Sequence, residues 1–203
     1  MDIILKQIQR RDFTAARKFA IEGMHLDWYV SGGIEMYLYS KYFWYLEISR
    51  ATRAIGAYVD DVLVGVLLVD MDKQPKVFRS LWYRLYVKLA AFIINIGYKD
   101  ASSTYDQANK ELLAAYKSRR ETDGELNFFA VDPNIKGKEL GTLLLNELEQ
   151  LERGKHIYLF TDSGSTYQFY AHRGFDEVGR KDVTLKIHGK EVPLTCLLFS
   201  KTF

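Results

Sequence analysis

The residues most suited to chemistry lie between 126 and 145. Leu126-Asn127-Phe128-Phe129-Ala130-Val131 is an apolar run that Asp132-Pro133-Asn134 stops. Ile135-Lys136-Gly137-Lys138-Glu139-Leu140-Gly141-Thr142 then opens a leucine-rich stretch. This pattern predicts a strand, a short basic glycine-containing loop and a helix. The first N–H groups of a helix lack intrahelical acceptors. The macrodipole places partial positive charge at the same end. Together they favour a phosphate or pyrophosphate. Gly137 and Gly141 permit close approach of a ligand to the backbone, and Lys136 and Lys138 add charge. The same spacing also describes an ordinary strand–turn–helix with a solvated basic turn. Neither the Gly-Lys-Ser/Thr ending of a P-loop nor a three-glycine dinucleotide fingerprint is present.

Other reactive types offer less. His25, His156, His172 and His188 show no metal-ligand spacing, so no metal site is expected. Cys196 sits in an apolar run and reads as a buried core residue. No Ser-His-Asp arrangement follows from spacing.

The elements that must position the loop read as follows. Strands are predicted at Leu5–Ile8, Arg53–Tyr58, Val62–Asp70, Leu126–Val131, His156–Phe160, Val183–Ile187 and Val192–Phe199. Asp60-Asp61 joins the second and third as a hairpin, and Gly189 joins the last two. Helices are predicted at Asp12–Gly23, Glu35–Ser49, Glu139–Leu151 and Thr166–His172. Leu140, Leu143, Leu144, Leu148 and Leu151 form the expected buried stripe of the third, which Gly154 ends. Gly174 closes the fourth. The second carries Tyr37, Tyr39, Tyr42, Phe43, Trp44 and Tyr45 around more than half of its surface. Core packing and an acceptor-pocket lining both suit these aromatics. Strands alternate with helices while several strands form hairpins, so the fold class is α/β with a mixed sheet.

The 203 residues are 48% apolar and 27% charged. That composition suits one domain, 1–203, with a sizeable core. It excludes disorder, collagen and a disulfide scaffold. The single cysteine points to a reducing compartment. Asp2 follows the first methionine with no long apolar run after it, unlike a signal peptide. A cytoplasmic location is expected. A net charge of +2 creates no global field that demands nucleic acid.

The segment 73–124 interrupts the alternation and is too long for a hairpin loop. Phe78, Leu81, Trp82, Leu85, Leu89, Phe92, Ile93 and Ile96 recur at helical spacing. A second helix follows from about Ser103 to Arg119, with Tyr105, Leu112, Leu113 and Tyr116 on one face. An inserted helical pair is expected. Residues 73 to 99 hold Lys73, Lys76, Arg79, Arg84, Lys88 and Lys99 and no acid, leaving 22 basic and 26 acidic residues elsewhere. The basic amphipathic helix 76–98 has three readings: packing against its own domain, contact with a partner subunit, or contact with an anionic membrane. Packing is the expectation.

Two stretches together resemble the GNAT superfamily of acetyl-CoA-dependent N-acetyltransferases. Val131-Asp132-Pro133 followed by Lys136-Gly137-Lys138-Glu139-Leu140-Gly141 is similar to that family's acetyl-CoA loop. The family pattern is Arg or Gln, two residues, Gly, one residue, then Gly or Ala. Lys136 stands where Arg or Gln is expected, Glu139 replaces the middle Gly, and Gly141 matches. Phe169-Tyr170-Ala171-His172-Arg173-Gly174-Phe175 resembles the second signature, Phe-Tyr-x-x-x-Gly-Phe. The order of elements fits from Leu5 to Phe199 apart from the insertion.

This resemblance implies a GNAT-like acyl-CoA N-acyltransferase fold with splayed central strands. It implies acetyl-CoA as cosubstrate and a small-molecule or peptide amine as acceptor. Phe129, Ala130 and Val131 would pair with the pantetheine arm. Lys136, Gly137, Lys138, Glu139, Leu140, Gly141 and Thr142 would hold the pyrophosphate. Ser163 stands where many members place a cofactor-contacting Asn. Tyr170 matches the tyrosine that protonates the departing thiolate. Glu125 is a candidate base, because several members carry a carboxylate on this strand. Glu35 and Glu47 are others, and Glu125 also reads as a solvated acid beside Gly124. A CoA binder without transfer is the alternative, since a Glu139 carboxylate facing a diphosphate costs Coulomb energy. A homodimer is compatible with apolar surface on the insertion.

Overall fold

The computed structural model describes residues 2–23, 26, 32–97, 99–135, 139–187 and 190–203, with the backbone alone for 94–97, 99–103 and 187. Along the chain run β1 (Ile3–Gln7), α1 (Phe13–Gly23), α2 (Gly33–Arg50), β2 (Arg53–Val59) and β3 (Val62–Met71). Two helices follow, α3 (Leu81–Gly97) and α4 (Lys99–Lys117). The chain continues with β4 (Gly124–Val131), α5 (Leu140–Leu151), β5 (His156–Asp162), α6 (Gln168–His172), β6 (Asp176–Ile187) and β7 (Lys190–Thr202). Contacts group it into two compact units. One is Met1–Ala91 with Leu126–Glu152, and the other is Phe92–Glu125 with Arg153–Phe203. The expected α/β class with a mixed sheet is what forms, and most of its strands pair antiparallel.

In the first unit the strand order is β1-β2-β3-β4. The β2–β3 turn is built by Asp60 and Asp61, both left-handed at φ 50° and 61°. Two such residues match the twist of a tight hairpin. Lys6 and Arg11 each donate to the Asp61 carboxylate at 2.7 Å and brace the turn. Beneath, Trp44 of α2 meets Phe13 edge-on at 5.2 Å and Phe128 of β4 at 5.3 Å. This aromatic knot is the centre of the core. Trp44 is fully buried, whereas Tyr37 is 53% exposed. The aromatic helix thus divides between core and surface.

Helix α5 packs on β3 and β2. Leu140, Leu144, Leu145 and Leu148 are buried, but Leu143 and Leu151 are exposed. The expected stripe is corrected by rotation toward Leu145. The close approach uses Gly65 of β3, where a Cβ would lie 3.0 Å from Leu144 Cδ1 and 3.2 Å from Val131 Cγ1.

In the second unit the order is β4-β5-β7-β6. The β4–β5 ladder is parallel and pairs Gly124 with Ile157 and Glu125 with Tyr158. It takes two residues of an eight-residue strand. Strands β6 and β7 form a long hairpin that starts earlier than expected. Asp176 to Asp182 is too polar to read as a strand, and pairing with β7 from Ser200 back to Thr195 makes it one. The turn expected at Gly189 lies outside the described residues. Helix α4 lies on β6 and β7, with Leu112, Leu113 and Tyr116 packed near Tyr158 and Leu198. A Cβ on Gly179 would stand 3.1 Å from Leu112 Cδ2, so glycine permits this closeness.

Both inserted helices form, but the packing expected of α3 is corrected. Leu81, Trp82, Leu85, Leu89, Phe92 and Ile93 are all exposed, and Tyr83 turns inward instead. Its ring stacks on Tyr45 at 4.3 Å.

Candidate active site

The first unit carries the strand, turn and helix start. Along β4, Leu126, Phe128 and Ala130 are buried, while Asn127, Phe129 and Val131 occupy the opposite, partly buried face. Alternation is the ordinary consequence of the pleat. Asp132 N–H donates to Val64 O at 2.9 Å and ties the end of β4 to the start of β3. The Asp132 carboxylate accepts from Asn134 N–H at 2.9 Å and Asn134 Nδ2 at 3.0 Å. Ile135 N–H donates to Asp132 O at 3.1 Å. Asp-Pro-Asn therefore does more than stop the strand: it sets a fixed corner.

Lys136, Gly137 and Lys138 lie outside the described residues. At Glu139 the chain is left-handed, with φ 48° and ψ 32°. This position resembles the family's middle glycine, and the backbone shape is one that glycine adopts without strain. Glu139 bears a cost of about 1 kcal/mol for it. Its side chain is exposed and makes no cap bond. Its carbonyl accepts Leu143 N–H at 3.0 Å as the first helical bond. Leu140 is 3% exposed and anchors the helix start, which places Gly141 and Thr142 in the first turn.

Two further acids fall in the same unit. Asn127 Nδ2 donates to Glu47 Oε2 at 2.6 Å and to Glu47 O at 3.2 Å. Arg50 lies 3.8 Å from the same carboxylate. Glu47 is thus committed to fixing α2 on β4. The signal for this pair was the lone polar residue inside an apolar strand. Glu35 sits exposed in the first turn of α2.

The second unit carries Glu125, Ser163 and Tyr170. Glu125 is partly buried, and Tyr158 Oη donates to its Oε2 at 3.4 Å. Ser163 Oγ accepts Thr195 N–H at 3.0 Å while Ser163 N–H donates to Thr195 O at 3.0 Å. That reciprocal pair fastens the turn after β5 to β7. It also uses one lone pair of the side chain expected to reach the cofactor.

The Phe169-to-Phe175 signature folds into a compact local motif. Tyr170 lies on α6, and Gly174 N–H donates to Ala171 O at 3.1 Å from a left-handed φ of 76°. The reversal returns the chain so that Phe175 N–H donates to Tyr170 O at 3.1 Å. The Tyr170 ring sits among Phe169, Phe175 and Phe199, with centroids 5.5, 5.8 and 6.2 Å away. Burial holds its phenol well above the ordinary range. The proton therefore stays on the oxygen through neutral and moderately alkaline pH.

Cys196 is fully buried, and burial pushes its thiol up to about 11. Among the described residues no cluster of three His, Cys, Asp or Glu side chains is placed to hold a metal. Among them, too, no helix is long and apolar enough to cross a membrane.

Comparisons with known proteins show the family and the fold. The model of the acetyltransferase (GNAT) family matches residues 20–175, which include both signatures. The chain belongs to that family and is by class an acetyl-CoA-dependent acyltransferase. Similar solved structures include a histone acetyltransferase HPA2 and related acetyltransferase from Corynebacterium glutamicum (16% identity, 98% of this chain and 96% of that one, TM-score 0.59). Another is the PaiA N-acetyltransferase of Thermoplasma acidophilum in complex with coenzyme A (13% identity, 100% of both chains, TM-score 0.54). A third is the polyamine N-acetyltransferase of Drosophila melanogaster (12% identity, 100% of both chains, TM-score 0.58). None of the curated proteins compared with the chain matches it.

Proposed function

We propose that the chain transfers the acetyl group of acetyl-CoA to a primary amine of a small molecule or peptide by direct attack. The observation that carries this reading is the strand, fixed corner and left-handed helix start at 126–142, inside a family match that also spans the Tyr170 motif. In the family arrangement, Phe129, Ala130 and Val131 offer backbone groups to the pantetheine arm. Lys136, Gly137, Lys138, Glu139, Leu140, Gly141 and Thr142 surround the pyrophosphate, where helix-start N–H groups and two lysines favour negative charge.

An alkyl ammonium has a pKa of about 10 and must lose a proton before it attacks. Glu125 is the carboxylate we assign to accept it, on the resemblance to members that carry a carboxylate on this strand, with Tyr158 as its hydrogen-bond partner. The neutral amine nitrogen then bonds to the acetyl carbon, the carbon–sulfur bond breaks, and the nitrogen's surplus proton leaves to water, from which Tyr170 is later reprotonated. Tyr170 gives its phenolic proton to the departing thiolate. Ser163 contributes through its hydroxyl proton, because its oxygen already accepts from Thr195. Outside residues 73–99, the excess of acids suits a cationic acceptor. The Drosophila neighbour, a polyamine N-acetyltransferase, forms N-acetylagmatine, the acetylated product of an acceptor of that type.

A second reading is a CoA binder that does not transfer, and Glu139 is the residue that favours it. An amine panel separates the two. Transfer predicts turnover with at least one amine, and Tyr170→Phe lowers kcat by about 10²- to 10⁴-fold while leaving acetyl-CoA affinity unchanged. Binding without turnover on every amine supports the second reading instead.

A further inference from the structure

Helix α3 has two apolar sides with opposite fates. Tyr83 is buried on one, with Tyr86 edge-on to Tyr45 beside it at 5.3 Å. On the other, Leu81, Trp82, Leu85, Leu89, Phe92 and Ile93 are 82, 65, 58, 60, 65 and 61% exposed. At 100° per residue these six occupy an arc of about 120°. Single exposed apolar residues are ordinary, but a continuous stripe of six large ones over three turns marks an interaction surface.

The charge around the stripe selects its occupant. From Lys73 to Lys99 there are six basic residues and no acid. Lys76 is engaged by Asp70. Arg79, Arg84 and Lys88 are exposed, and the last two lie one helical turn apart along one border of the stripe. We infer that α3 docks on an anionic lipid bilayer. It lies in the plane of the interface, with the stripe among the acyl chains and Arg79, Arg84 and Lys88 on headgroup phosphates. The helix is too short and too charged to cross, so it rests on the surface. A second copy is the poorer occupant. A two-fold pairing of the stripe with itself sets Arg84 and Lys88 against their own copies, and residues 73–99 hold no acid to answer them. This docking is independent of acetyl transfer, and it would confine whatever reaction the chain performs to a membrane surface.

Sedimentation of the whole chain with vesicles tests it. One set is phosphatidylcholine alone, and the other carries in addition about 30% phosphatidylglycerol to supply the negative surface. The chain is expected to sediment with the anionic set only, and less so as salt shortens the Debye length. Trp82 emission is expected to shift to the blue on binding, a change that Trp82→Phe removes. R84Q/K88Q is expected to lower partition about 25-fold, from about fivefold per cation. L85S/L89S removes exposed side chains only; it is expected to fold as wild type and to lose the vesicles. No sedimentation with anionic vesicles overturns the proposal. So does equal binding to both vesicle sets, or unchanged binding by both double variants. A dimer that L85S/L89S dissolves, without vesicle binding, assigns the face to a second copy.

Discussion

Helices α5 and α3 are both leucine-rich and amphipathic, yet one buries its stripe and the other presents it to solvent. In α5, Leu140, Leu144, Leu145 and Leu148 are at most 3% exposed, and a glycine on the facing strand lets the helix sit close. In α3 the corresponding leucines are more than half exposed. Periodicity reports that a stripe exists. What covers it depends on a complementary surface elsewhere in the chain, and α5 has one in β3. A helix that positions a binding loop needs such an anchor, because movement of its first turn would move the loop amides. A helix that meets a partner needs its stripe free.

The contrast breaks most sharply at Leu144. Leu144→Ala should lower stability by about 3 kcal/mol, with a fall in Tm of about 6–12 °C. A calorimetric scan showing less than a degree of change would mean that α5 is not anchored as described. Glu139→Gly sharpens the comparison at the start of the same helix. Removing the carboxylate should tighten acetyl-CoA binding about fivefold, a gain of about 1 kcal/mol, while relief of the left-handed strain should raise stability by about as much. Weaker binding would show that Glu139 assists the site.

Helix α4 is held by a third device, a buried polar group. Tyr116 Oη lies 2.6 Å from His156 Nε2 and 2.8 Å from Ser200 Oγ. Burial, with help from Arg120, lowers the His156 pKa below its ordinary value of about 6.5. As pH falls, the unfolded chain therefore takes up this proton first. The stability from neutral His156 is present above about pH 6.5 and declines as pH drops toward the folded-state pKa. His156→Gln should flatten the stability–pH curve in that window, and an unchanged slope would sink the assignment. The smallest effect belongs to α3. Leu89→Ser should change stability by no more than about 0.5 kcal/mol in the absence of vesicles. A larger loss in chemical denaturation would show that the stripe is covered after all.

The legible parts of this sequence are those that depend on near neighbours. The Asp-Pro-Asn corner, the α5 repeat and the Asp60-Asp61 turn all follow from residues within a few positions. The Phe169-to-Phe175 motif likewise closes on itself through Gly174. What depended on distant partners was not legible. The first half of β6 is polar and becomes a strand only because β7 pairs with it. The link of Ser163 to Thr195 and the hold of Asn127 on Glu47 join residues 32 and 80 positions apart. The exposure of α3 is likewise a property of what its neighbours leave uncovered.

The central claim is that acetyl-CoA binds at the α5 start, and titration calorimetry tests it most directly. The wild-type chain and Gly141→Trp, whose side chain fills the first turn, are titrated with acetyl-CoA after matching thermal unfolding confirms that both fold. Micromolar binding by the wild type that the tryptophan abolishes is the predicted result. No heat up to millimolar acetyl-CoA, or equal binding by both proteins, would contradict it.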